Sequence, residues 1–378
     1  MQRRTLTPRS NWLQRIGALG VDLEAAPNSP YWREDAAYVF TSDEIEMLET
    51  AGVELARLIH EAVAHVVAKG RFEELGIEAE LAELAAASWT RGDPSLYGRF
   101  DLRFDGSAPP KLLEYNADTP TALFEAAVVQ WHWLEECFPG ADQYNAIHEA
   151  LIARWNSWRQ SGWAKRVHLA CMPEDDDDLL TTAYLQDTAL QAGLDVRLMD
   201  LTEVGWDGRC FRDLEGGRIE TLFKLYPWDW LLDDEFFPHI APAGLKVLEP
   251  AWRIIPASKG ILPILWELFP GHPNLLPAAF DPAGIAGPRI LKPLHGREGA
   301  NMVVTGEGLD AVATGGPYEG MEIVAQAFQA LPAFDGWRPV VGMWMVGDAP
   351  HGIGIREDLA VVTGRGARFV PHLIEDGE

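Results

Sequence analysis

The stretch from Gly98 to Thr121 constrains this chain more than any other. Arg99 to Phe104 alternates polar and apolar side chains, the period of two expected of a strand. Asp105-Gly106 signals a turn, with a longer connection running on through Pro110. Lys111 to Asn116 reads as the return strand. Side chains alternate across a strand, so Arg99, Asp101 and Arg103 share one face, and Glu114 and Asn116 share one face of its partner. Asp101, Glu114 and Asn116 then converge as hard oxygen donors, the set Mg²⁺ favours when it also holds substrate phosphates. An ordinary sheet with an Arg99–Asp101 surface pair uses the same residues, and the hairpin alone does not choose.

The chain has 378 residues, enough for two or three domains with sizeable cores. It is 47% hydrophobic and 23% charged, a globular balance. A net charge of −26 argues against a nucleic-acid backbone as partner and is compatible with steering a cationic substrate such as a polyamine. Solubility alone accounts for it equally well. The three cysteines, Cys137, Cys171 and Cys210, have no metal or redox spacing and fit a reduced cytoplasmic setting. The basic start lacks an apolar core for a signal peptide, and no apolar run reaches membrane-spanning length. No membrane partner is expected.

Residues 1–95 read as a mainly helical part. Ser42 is the candidate N-cap of a helix carrying Ile45, Leu48, Val53, Leu55, Leu58, Ile59, Val63 and Val66 at helical spacing. A second helix spans about 77–87. Residues 96–164 hold the hairpin and a helix over 122–136, with Thr119-Pro120 as its cap and first-turn proline. A helix N-terminus there offers an anion site, or is simply capped. Residues 165–250 alternate strand and helix: strands at 167–172, 196–201 and 219–226, and a helix at 179–192. Glu174, Asp175, Asp176, Asp177 and Asp178 precede that helix, where acids favour the dipole and are usually solvated, though they could hold an amine. Residues 251–378 contain Ser258-Lys259-Gly260, then a strand, glycine loop and strand around Lys292 to Val304. Further strands are expected at 323–328, 340–346, 352–355 and 359–363.

The chain has only seven lysines. Lys292 stands out because it lies on an apolar strand beside a glycine-containing loop. A strand lysine under such a loop can hold ATP without a Walker sequence. No P-loop, Rossmann, esterase or zincin motif is present. His295 could act as a base, but a lone loop histidine is more often structural. Arg99, Arg297 and Arg356 could neutralise a transferring phosphoryl group. No covalent nucleophile stands out, so direct phosphorylation of a bound carboxylate is favoured over a phospho-enzyme.

Five ordered segments carry a resemblance: Arg99-Phe-Asp101, Leu113 to Thr121, Phe223 to Trp230, Lys292 to Gly299 and Gly352 to Asp358. They resemble the glutathionylspermidine synthetase family over about residues 11–373. The resemblance implies an α/β (α+β) ATP-grasp fold with the permuted motif order of eukaryotic glutathione synthetase, plus a pre-ATP-grasp-like substrate domain at 165–250. It implies an ATP-dependent ligase that joins a carboxylate to an amine through an acyl phosphate. The acid would be glutathione or a peptide, and the amine a polyamine such as spermidine. Asp101, Glu114 and Asn116 match magnesium ligands, and Lys259 and Lys292 match phosphate lysines. Arg99 matches the arginine at the reacting carboxylate, Arg356 one near the transferring phosphate, and Arg297 lies on the closing loop. The strand from Val324 to Phe328 would be the adenine hinge, with backbone contacts at Gln326 and Ala327. Thr119 and Thr121 stand where the family has serines near glutathione, and Glu174, Asp175 and Asp176 lie near an acidic substrate pair. Amidase activity, carried by an extra N-terminal domain in bifunctional members, is not expected. A nucleotide-binding protein of the same fold without catalysis, or a kinase that stops at phosphorylation, are the alternatives. The intact set of Asp101, Glu114, Asn116, Lys292, Arg297 and Arg356 favours the enzyme.

Overall fold

The computed structural model describes residues 1–20, 31–308 and 310–376. Tyr97–Arg103 and Lys111–Asn116 form the antiparallel hairpin that the alternation predicts. Tyr97–Arg103 also pairs with Arg338–Val346, which turns back into Ala349–Asp358, itself paired with Arg368–Val370. The result is a five-stranded antiparallel sheet joining residues 97–116 to residues 338–370. Six of the seven residues of Tyr97–Arg103 are buried, so Arg99 and Asp101 must find their partners inside the protein.

A second five-stranded antiparallel sheet has the order Ala278–Ala279, Ile323–Ala327, Arg289–Pro293, Val303–Thr305, Val312–Ala313. The long helix Ser42–Lys69 packs its Ile45, Leu48, Leu55, Leu58, Ile59, Val63 and Val66 stripe into the core formed with the first sheet, while Val53, expected in that stripe, lies on the outer face and is exposed. Gly52 lets it approach closely: a Cβ there would meet Met343 at 2.4 Å. The short apolar helix Ile261–Leu268 is buried in the same core.

A four-stranded parallel sheet follows the order Lys246–Leu248, Thr221–Leu225, Arg166–Cys171, Asp195–Asp200. From Arg166–Cys171 the chain moves first to one side and then to the other. The strand order therefore reverses between Arg166–Cys171 and Thr221–Leu225, and a crevice outside their carboxyl ends is where open α/β sheets bind ligands. The residues following those two strands are the acidic run at 174–178 and the turn at 226–230.

Several expectations are corrected. The first 95 residues also contribute strands: Gln2–Thr5 and Ala36–Phe40 form a sheet with His372–Ile374. That pairing spans the whole sequence, so no local pattern announces it. Thr41, not Ser42, caps the long helix, and Thr41 and Glu44 form a reciprocal capping box. The second helix runs Ala79–Arg91. Residues 359–363 form no strand, because Asp358 turns the chain by accepting the N–H groups of Ala360 and Gly364. Thr119-Pro120 does not open the next helix. The Pro120 carbonyl accepts from the Tyr97 hydroxyl, Ala122 takes φ +67°, and the helix begins only at Leu123. It then passes through a π segment, Glu125–Val129, before Gln130–Cys137.

Among the described residues, no helix is long and apolar enough to cross a membrane. All three cysteines are free. Close packing between the first sheet and the π segment gives a test. A Cβ at Gly354 would lie 2.7 Å from the buried Phe369 ring and 3.3 Å from Ala126. Gly354→Ala is expected to cost about 1–3 kcal/mol of stability in urea unfolding, from overpacking.

Candidate active site

Asp101 lies in the middle of the hairpin strand and is 4% exposed. Arg99, two residues earlier on the same face, reaches it with Nε at 2.7 Å and Nη2 at 3.3 Å. Arg356, on the strand Ala349–Asp358, donates Nη2 at 3.1 Å to Asp101 Oδ2, the oxygen that Arg99 Nη2 also reaches. Gly342 stands opposite Asp101 on the neighbouring strand, and a Cβ there would sit 2.8 Å from Arg99 Cδ. Glycine is what lets the arginine lie across the sheet. Arg99 also donates Nη1 to the Thr121 carbonyl at 2.7 Å and lies over the Trp344 ring at 5.4 Å. Sequence reasoning expected the Arg99–Asp101 pair. A surface pair was one of the two readings of the hairpin, and the structure forms the pair but buries it.

Glu114 is the cross-strand partner of Asp101, and Asn116 that of Arg99. Glu114 lies 3.0 Å from Lys259 Nζ. Burial opposes its ionisation, but Lys259 and Lys292 overcome this and hold the carboxyl below its ordinary range. Lys292 is 3% exposed and donates to the Leu113 carbonyl and to Gln326 Oε1, both at 2.8 Å. Burial lowers its pKa to about 8, with Glu114 opposing the shift. The two expected phosphate lysines, from segments far apart in sequence, therefore converge on the hairpin.

Among the described residues, no three His, Cys, Asp or Glu side chains form a metal cluster by themselves. Two facing carboxylates and an amide suit a magnesium ion that keeps waters and phosphate oxygens in its shell. The buried Asn116 Nδ2 has no partner among the described residues, which leaves a donor for a ligand oxygen. The residues fit such a group.

Gln326, expected to meet adenine through its backbone, is buried and uses its side chain inside the site. Its side chain accepts from Lys292 and donates to the Leu112 carbonyl at 3.0 Å. The N–H of Ala327 is taken by the Pro277 carbonyl at 2.7 Å, since this strand lies inside its sheet. On the glycine loop, Arg297 pairs with Asp229 and lies over Trp230. His295, weighed as a base, instead points Nε2 at the Gly76 carbonyl at 3.1 Å.

The acidic run divides. Asp175 caps the helix Asp176–Gln191 by accepting the N–H groups of Asp177 and Asp178, while Glu174, Asp176 and Asp177 are exposed. Asp177 is the member within electrostatic reach of Glu125 and Tyr31. Asp178 is pushed up to about 7 by burial and by its neighbours Asp175 and Asp177. Thr119 and Thr121 are half-buried on the turn between hairpin and helix.

Sequence reasoning missed Glu125. It is 5% exposed, in the π segment, within electrostatic reach of Arg99 and Asp177. Burial raises its pKa to about 7; a backbone hydrogen bond and Arg99 pull it down, and Asp177 adds to the rise. The available signal was a single acid inside an otherwise apolar stretch, Leu123 to Val129. Asp118 was missed too: it accepts from Lys224 Nζ and from the Trp228 N–H, each at 2.8 Å, and both residues are buried.

The family described as "Glutathionylspermidine synthase preATP-grasp" matches residues 3–375. The chain belongs to the glutathionylspermidine synthase family. As a member it is an ATP-dependent carbon–nitrogen ligase. A Haemophilus influenzae protein named provisionally as an acid–amine ligase is 39% identical over 392 residues, covering 98% of this chain and 99% of its own length. Trypanothione synthetase of Crithidia fasciculata is 28% identical over 84% of this chain and 53% of its own. The bifunctional glutathionylspermidine synthetase/amidase of Escherichia coli is 26% identical over 76% of this chain and 51% of its own. The chain thus spans nearly all of the first relative and about half of the other two.

ATP use by the family gives Lys292 a testable pH signature. With a pKa of about 8, it is cationic at pH 7 and loses its charge as pH rises through 8. ATP affinity measured by calorimetry is expected to fall between pH 7 and 9. Lys292→Met is expected to bind about tenfold more weakly at pH 7, a loss of ~1.4 kcal/mol, and to lack that pH dependence.

Proposed function

We propose that this ligase phosphorylates a carboxylate with Mg-ATP to an acyl phosphate, which an amine then attacks to give an amide, ADP and phosphate. The observation that carries the reading is one cluster. Two arginines clasp Asp101 while two lysines surround Glu114 on the strand beside it. Such a cluster offers fixed positive charge where the negative charge of a transferring phosphoryl group must be offset, which is the main task in that transfer.

Lys259 and Lys292 would hold the phosphates, and Arg356 and Arg297 would offset charge at the transferring group. Asp101, Glu114 and Asn116 would hold magnesium, which supplies neutralisation of phosphate charge when bound. Arg99 would orient the acid with Thr119 and Thr121. This division matches an ATP-grasp core with permuted motif order, the adenine lying toward the strand Ile323–Ala327.

The second substrate fits the acidic side. Glu125 and Asp177 lie within electrostatic reach of each other, and the acidic run follows the carboxyl end of Arg166–Cys171 beside the strand-order reversal. A protonated amine is attracted there, yet must lose a proton before it attacks. Glu125, with a pKa of about 7, is suited to accept it. A glutathione-like or peptide acid and a polyamine-like amine are the substrate classes that the named relatives and the acidic lining favour.

Two measurements test this. In the first, the protein is incubated with Mg-ATP, an acid and an amine, glutathione with spermidine being the first pair. ADP release should require both, with a new amide mass. Release indifferent to every amine would leave only a kinase or an ATPase. In the second, turnover of the active pair is followed against pH. Glu125 is protonated below pH 7 and charged above it, so the rate should rise from pH 6 to 8. Glu125→Gln should abolish that rise and slow turnover about 10²-fold; an unchanged profile would remove Glu125 from the proton transfer.

A further inference from the structure

The glycine loop between Arg289–Pro293 and Val303–Thr305 is held down along its length. Near its start, the Gly296 carbonyl accepts from Lys259 Nζ at 2.5 Å. At its crest, Arg297 turns both terminal nitrogens toward Asp229, Nη2 at 2.7 Å and Nη1 at 3.5 Å, with its guanidinium 5.0 Å over the Trp230 ring. Beyond the crest, the Gly299 carbonyl accepts from Thr314 Oγ1 at 2.6 Å, and a Cβ at Gly299 would lie 2.4 Å from the Thr363 carbonyl oxygen.

Asp229 is itself firmly seated. The preceding residue, Trp228, gives its N–H to buried Asp118, which also binds Lys224, and Lys224 lies 4.5 Å over the Trp228 ring. Asp118 comes two residues after Asn116, so the turn bearing Asp229 is anchored to the hairpin that carries the proposed metal ligands.

A guanidinium recognises phosphate best through two parallel N–H bonds. In Arg297 that fork is directed at a carboxylate. A phosphate gains the fork only by displacing Asp229. We propose that Asp229 is a positioning residue that keeps Arg297 out of the nucleotide site, so that binding of a triphosphate exchanges an Arg297–carboxylate pair for an Arg297–phosphate pair. Asp229 does not touch the nucleotide; it acts through Arg297. The exchange is feasible because the pair is partly exposed, with side chains 30% and 22% accessible, and pairs in such settings are weak. The inference rests on the nucleotide reading given above.

Calorimetry of Mg-ATP binding to the full chain tests it, using wild type, Asp229→Asn, Arg297→Gln and the double variant. Asp229→Asn should bind about three- to fivefold more tightly than wild type, since a weak competitor is removed. Arg297→Gln should bind more weakly, and adding Asp229→Asn to it should change nothing. Asp229→Glu, which keeps the charge, should return the affinity toward wild type. Hydrogen exchange over residues 294–301 without nucleotide should quicken in Arg297→Gln, which reads the same contact should Asp229→Asn fail to fold. Weaker binding by Asp229→Asn, an effect that persists in the Arg297→Gln background, or unchanged exchange overturns the inference while the nucleotide reading stands. A wild type that binds no Mg-ATP overturns both.

Discussion

Everything about this site depends on the burial of Asp101 between two arginines. A carboxylate inside a sheet, alone, costs several kcal/mol. Arg99 and Arg356 answer it, and each is fixed in turn: Arg99 by the Thr121 carbonyl and the Trp344 ring, Arg356 by its place on the neighbouring hairpin. The clasp therefore locks together the hairpin, the turn leading to the π segment, and strands from the last part of the chain. It also leaves two positive charges against one negative. Adding Lys259 and Lys292 against Glu114 repeats that imbalance a few residues away.

The local cationic excess sits in a chain whose net charge is −26. The two signs are sorted in space. Lysines and arginines gather on the hairpin side, while Glu125, Asp177 and Asp178 lie toward the parallel sheet. Such a division suits the proposed pairing of an anionic nucleotide with a protonated amine. Burial shifts the proton affinities there in opposite senses: Lys292 is lowered toward neutral pH, and Glu125 and Asp178 are raised toward it.

Much of the site was legible because its chemistry is written in short runs. The alternation from Arg99 to Phe104 gave the hairpin and its facing donors, and the scarcity of lysine drew attention to Lys292. What escaped notice is long-range or depends on context. Gln2–Thr5 finds its strand neighbour through Ala36–Phe40 and His372–Ile374, a pairing no window contains. Thr119-Pro120 has a helix-start signature, yet Tyr97 and Arg99 hold the carbonyls of Pro120 and Thr121 and delay the helix to Leu123. Lys292 and Gln326 lie on paired strands of one sheet, and what no window shows is that both reach the Leu113 and Leu112 carbonyls of the other sheet. Glu125 was hidden because a single acid in an apolar helix is ordinarily a surface residue, and only packing shows that it points inward.

The π segment that holds Glu125 has one further consequence. A π turn amounts to one residue more than an α-helix needs, so the stretch before it is out of phase with the stretch after it by about 100°. After it, Gln130 is committed to the core, donating to the Ile353 carbonyl and accepting from His372. Before it, the helix start is committed to the turn that Arg99 holds. The extra residue works as a phase adjuster between these fixed ends. It lets the core and the reaction centre each keep their own register, so that substitutions can retune one without rotating the other.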